Sequence, residues 1–185
     1  ASTNTPTLVS SVGSKGWYYA VSVAGTANVL VVTATGVSGS TFNDSSGNGY
    51  NATLFNSPTT TTYNNTTVLR LNSSSSQYFS YISGYAAANT TITHDVWFYT
   101  LSSGTAQTLI AEYNGYPYPS SWRDAQLGLT TSKIATGLWN LSAGSGLVST
   151  SSYSANTWYN AVLTYDGYTQ AFYLNGVLQA SAAPA

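Results

Sequence analysis

Residues 156–167 read Asn-Thr-Trp-Tyr-Asn-Ala-Val-Leu-Thr-Tyr-Asp-Gly, and residues 173–178 read Tyr-Leu-Asn-Gly-Val-Leu. The first stretch alternates, with Tyr159, Ala161, Leu163 and Tyr165 on one face, which is the period of a half-buried strand. Asp166-Gly167 turns the chain. Runs from Ala171 to Leu174 and from Val177 to Ala180 then flank Asn175-Gly176, the dipeptide that best accepts the two positive φ angles of a type I′ hairpin. Successive antiparallel strands are therefore expected at this end of the chain.

Working outward, short β-branched and aromatic runs bounded by Gly, Asn and Ser recur. They start at Trp17, Val29, Thr53, Val68, Gln77, Thr90, Thr108, Ala125, Ile134 and Gly146. No long stretch holds apolar residues at helical spacing, and the good helix formers Glu, Lys and Arg are scarce while Met is missing. The pattern predicts an all-β domain, a sandwich or barrel. Residues 38–51 read as turns and residues 56–67 (NSPTTTTYNNTT) as a polar loop.

The chain has 185 residues, of which 43% are hydrophobic, 14% aromatic and only 5% charged, with net charge −1. The apolar content predicts a packed core rather than disorder. The charge leaves no basic surface for nucleic acid and no polybasic patch for a membrane, and no apolar run is long enough to span one. With no Cys there is no disulfide, thiol nucleophile or zinc–thiolate site, and with neither Cys nor Met the most readily oxidised side chains are missing. Hydroxyls, amides and attached sugar replace charge as the source of solubility. So few titratable groups also predict a stability almost independent of pH. These features suit an extracellular, cell-surface or virion-surface protein. N-x-S/T sequons make Asn51, Asn64, Asn72, Asn89 and Asn140 candidate glycosylation sites.

Two motifs carry a family resemblance. Asp44-Ser45-Ser46-Gly47-Asn48-Gly49, followed by Asn51-Ala52-Thr53-Leu54, is similar to the D-x-S-G-N-G-x-x-G-T-L opening of the laminin-G-like group of the concanavalin A-like lectin/glucanase superfamily. Residues 156–167 and 173–178 resemble that group's N-x-W-x-H-h-A-h-T-Y-D-G and h-Y-h-N-G signatures (h is apolar), with Asn160 in place of His. Leu69 to Tyr78 and Val96-Trp97-Phe98 fall where the family has further segments. The resemblance covers about residues 28–180. It implies a concanavalin A-like jelly-roll β-sandwich of two antiparallel sheets, over residues 28–185. Family domains continue past the hairpin into further strands, whereas residues 1–27 add an N-terminal arm with an extra apolar run. The arm is a candidate exchange strand through Trp17, Tyr19, Val21 and Val23. The alternative is that this run pairs within its own domain.

Trp158 and Tyr159 read as core anchors at a strand start. Hydrolases of the superfamily use closely spaced acids, and glycoside hydrolysis needs two carboxyl groups flanking one bond. Glu112 and Asp95 have no acidic neighbour at i+2 or i+4, and Asp124 meets Glu112 only through the fold. No catalytic residue is expected. His94 and Asp95 are adjacent in a strand and so point to opposite faces, His94 as a structural side chain. The resemblance implies calcium held by Asp and carbonyl oxygens; Asp44 is the weak candidate, and no other cofactor is expected. Tyr113, Tyr116, Tyr118 and Trp122 surround a Pro-stiffened loop and are candidate glycan-stacking residues. Two functions follow. One is a non-enzymatic subunit of a filament, fibre or coat that self-associates into a homopolymer; the other is a glycan-binding adhesion module.

Overall fold

The computed structural model describes residues 18–24, 28–63, 65–80, 91–113, 123–137 and 146–183. They divide between two compact units, one from Ala1–Tyr18 and Val31–Ile82, the other from Tyr19–Leu30 and Ser83–Ala185. Among the described residues the regular structure is strand, with one 3-10 turn at Ser73–Ser75, and no helix is long and apolar enough to cross a membrane.

In the first unit, β2 (Asn28–Ser38), β3 (Thr41–Asp44), β4 (Ala52–Phe55) and β7 (Tyr78–Ser80) follow one another in an antiparallel ladder. Alternation fills its core: Val32, Ala34, Phe42, Ala52 and Leu54 are buried, and Phe42 meets Phe79 edge to face at 5.2 Å. β5 (Thr59–Tyr63) and β6 (Thr66–Arg70) form a separate two-stranded ribbon. The polar composition of residues 56–67 predicts a loop, whereas Thr59–Tyr63 is a strand. Threonine is β-branched and suits a pleated backbone, and pairing of Thr60 with Leu69 and Thr61 with Val68 fixes it there. The Ser73–Ser75 turn is capped by Asn72, whose Oδ1 accepts from the Ser74 amide at 3.0 Å.

In the second unit, β1 (Tyr18–Ala24), β8 (Thr91–Tyr99), β12 (Trp158–Tyr165), β13 (Gln170–Leu174) and β14 (Val177–Ala182) make a sheet in the order β14-β13-β12-β8-β1. A three-stranded sheet, β11 (Ile134–Thr136), β10 (Arg123–Leu129) and β9 (Gln107–Tyr113), lies opposite. The His94 Nε2–Gln126 Oε1 hydrogen bond of 2.5 Å joins the two sheets. Ile92, Phe98, Ala161, Leu163, Tyr165, Phe172 and Leu174 from one sheet, and Ile110, Leu127, Leu129 and Ile134 from the other, are all buried. This is sandwich packing, two apolar faces closed on each other. Asn175 at φ 50° and Gly176 at φ 78° turn β13 into β14, the left-handed pair that an Asn-Gly hairpin requires. Gly128 is needed for another reason: a Cβ there would stand 3.0 Å from the Gln107 carbonyl oxygen of the neighbouring strand.

Two expectations meet the structure here. Within this single chain the N-terminal run is a strand of the larger sheet. Tyr19, Val21 and Val23 pair with Val96, His94 and Ile92 of β8 in the same chain. A strand bonded along this register offers those amides and carbonyls to its own sheet. Trp17 lies outside the described residues. The second expectation concerns Trp158 and Tyr159, which are neighbours on one strand and so take opposite faces. Tyr159 stacks on Phe98 at 5.6 Å, and its hydroxyl accepts from the Ser154 amide. Trp158 faces away from that core and packs on Tyr99 with ring centroids 5.2 Å apart.

Candidate functional site

The outward face of the β8–β12–β13 sheet is assembled by register. Trp97 lies opposite Asn160, Tyr99 opposite Trp158, and Asp95 opposite Val162, which is in turn opposite Tyr173. Directly opposed residues of antiparallel strands share a face, and alternate residues follow at about 7 Å along each strand. The result is an aromatic surround, with Trp97 39% exposed, about a hydrogen-bonded polar pair. Asn160 Nδ2 donates to Asp95 Oδ1 at 2.6 Å. The amide is held in turn, because the Asn160 N–H donates to Asn175 Oδ1 and its carbonyl accepts from the Asn175 N–H, both at the hairpin base. Burial pushes the Asp95 carboxyl above its usual range, and the Asn160 bond partly offsets this. Among the described residues Asn160 is the one hydrogen-bond partner of that carboxylate. Asp95 Oδ2 therefore remains able to accept from a ligand hydroxyl.

On the opposite face of the same strand sits His94. It is fully buried, and burial lowers its pKa to about 4 against a smaller upward effect of the Gln126 bond. Its role is to link two sheets. The near-independence of stability from pH that the composition suggests therefore does not hold for this residue.

The other expected residues fare differently. Asp44 is a loop staple: Oδ1 accepts from the Ser46 amide, and Oδ2 from the Ser46 hydroxyl and the Tyr50 amide, at 2.7–3.0 Å. Donors thus face both oxygens, and the carboxylate closes the 44–50 loop. Among the described residues, no three His, Cys, Asp or Glu side chains converge to hold a metal. Asn51 Oδ1 accepts from the Asp44 amide and Asn72 caps the Ser73–Ser75 turn; both are exposed. Asn64, Asn89 and Asn140 lie outside the described residues, as do Tyr116, Tyr118 and Trp122. Tyr113 ends β9 opposite Arg123. One residue further in, Asp124 lies opposite Glu112, so the fold does bring these two acids to facing positions.

Neither Trp97 nor the Asp95–Asn160 pair was singled out as a site from sequence. Their signals were present: Trp97 in a family-like segment, Asn160 as the departure from the family's His. Only the strand register unites them.

With a two-sheet sandwich, an Asn-Gly hairpin and a polar pair among aromatics in place, the class of protein follows. Residues 73–185 match a laminin G family model described as concanavalin A-like lectin/glucanases superfamily. The match spans more than half of the chain, and the chain belongs to this superfamily. The Asp44–Gly49 motif falls before the matched span. No curated protein and no solved structure matches the chain.

Proposed function

We propose that this chain is a non-catalytic, extracellular carbohydrate-binding module of the adhesion type. Its ligand lies on the outward face of β8 and β12. The observation that carries the reading is the Asp95–Asn160 pair set among Trp97, Tyr99, Trp158 and Tyr173. A sugar ring has an apolar C–H face and a rim of hydroxyls. The exposed Trp97 and the half-buried Tyr99, Trp158 and Tyr173 cover the first, and the Asp95 carboxylate, held in place by the buried Asn160 amide, accepts from the second. The pair is already held by the hairpin, so little ordering is required on binding. Hydrolysis would need a second carboxyl group across the scissile bond, and the partner of Asp95 is an amide. The low charge and the absence of Cys and Met support the extracellular placement. The strand that suggested polymer assembly pairs at home, so a filament role gains nothing from it.

A glycan array followed by calorimetry on a hit tests this. Trp97→Ala is expected to weaken binding by about ten- to a hundredfold, the range of an aromatic anchor, without lowering the melting temperature by more than a few degrees. An array with no hit, or a hit indifferent to Trp97→Ala, rejects the site.

A further inference from the structure

Charge over the second unit's larger sheet is one-sided. No Lys or Arg occupies any position of β1, β8, β12, β13 or β14, and the only acidic residue in those strands is Asp95. His94, the other titratable side chain of β8 besides Tyr99, is buried on the opposite face and neutral above pH 4. Lys133 sits between β10 and β11, with its ammonium on the Thr150 carbonyl. The polar centre of the aromatic face thus holds one carboxylate and no cationic side chain within its own strands.

We infer that this face selects uncharged sugars and rejects acidic ones, an inference that rests on the carbohydrate reading above. An uncharged pyranose donates a hydroxyl proton to Asp95 Oδ2 and lays its C–H face on Trp97. That contact offsets the desolvation that burial imposes on the carboxylate. A uronate or sulfated sugar brings a second negative charge to a partly buried one, with no guanidinium or ammonium in the five strands to neutralise it. Like charges placed together in an interface discriminate strongly against the wrong partner. The same face therefore excludes by Coulomb repulsion what it admits by shape.

The experiment titrates the full chain at pH 7 with neutral gluco- and manno-oligosaccharides, with oligogalacturonate and with heparin oligosaccharides. The expected result is binding of a neutral oligosaccharide at least tenfold tighter than either acidic one. Asp95→Asn is expected to collapse that ratio toward one. Should Asp95→Asn not fold, the parent supplies the second reading. Its residual affinity for the acidic sugars should rise as salt is raised from 10 to 150 mM, because screening relieves repulsion, while neutral binding stays constant. Acidic sugars bound as tightly as neutral ones, or acidic binding that falls with salt, overturns the selectivity and leaves the carbohydrate reading standing. Failure of every sugar to bind overturns both.

Discussion

Acidification from pH 7 to pH 4 is expected to destabilise the fold by about 3 kcal/mol through one side chain, His94. In the unfolded chain its imidazole protonates near pH 6.5; in the folded protein, buried beside Gln126, it protonates only near pH 4. Between those values the unfolded state binds the extra proton, so stability falls as pH falls, and the loss levels off below pH 4. At about 1.4 kcal/mol for each pH unit the gap is worth about 3 kcal/mol. For a chain of this length that is about a 10 °C drop in melting temperature. Asp95 works in the opposite sense. Its raised pKa means the folded state protonates first, so its contribution to stability is recovered as pH falls through that raised value. Asp166, whose carboxylate accepts from the Thr169 and Tyr168 amides, has a lowered pKa, and its contribution is lost only below the ordinary Asp range. Subtracting the melts of a His94→Gln variant from those of the parent isolates the imidazole, since both carry the two aspartates. The variant keeps an amide opposite Gln126 but cannot titrate. Scanning calorimetry at pH 7, 6, 5 and 4 should show the parent losing about 10 °C relative to the variant. A difference that stays constant across that range, or an imidazole titrating near pH 6.5 by NMR, refutes the argument.

Four shorter expectations accompany this. Deleting residues 1–27 removes β1 from the β8 edge, so the truncated chain should lose cooperative unfolding; a truncation that melts like the parent would show the β1 pairing to be dispensable. Gly128→Ala forces a methyl group to 3.0 Å from the Gln107 carbonyl and should destabilise by about 1–3 kcal/mol, read by urea titration. Asp44→Ala removes the acceptor of three hydrogen bonds in the 44–50 loop and should lower stability by about 1–2 kcal/mol, again by urea titration. Glu112→Gln should leave glycan binding unchanged, and the parent should release no reducing sugar from polysaccharides; hydrolysis abolished by that substitution would make the Asp124–Glu112 pair catalytic.

How much of the fold was legible depended on the range of the interactions involved. The type I′ hairpin could be read from Asn175-Gly176 because positive φ is a local steric matter, and both residues have it. The inward set Tyr159, Ala161, Leu163 and Tyr165 could be read from the alternation, because period two is a property of one strand. The Thr-rich ribbon could not. Thr59 to Thr62 are polar enough to look like loop, and only the pairing with β6 makes them a strand. Trp158 failed as a core anchor for a related reason: alternation says that it opposes Tyr159, but which of the two faces the interior is decided by the opposing sheet.

From the sequence alone the protein reads as all-β, sparsely charged and without thiol chemistry, because composition, strand periodicity and turn residues are local. Its laminin-G-like character came from the resemblance of two motifs, residues 44–54 and 156–178, to that group. Alternation also parts His94 and Asp95 to opposite faces. Tertiary structure alone decided what each of them meets there. Gln126 lies 32 residues from His94 and Asn160 lies 65 from Asp95, separations that no periodicity spans. Strand register brought Trp97 beside Asn160 and Asp124 beside Glu112. It also seated β1 on β8 within the chain. Register is chosen by the burial of whole faces against each other, and that energy exists only once the sheets have closed.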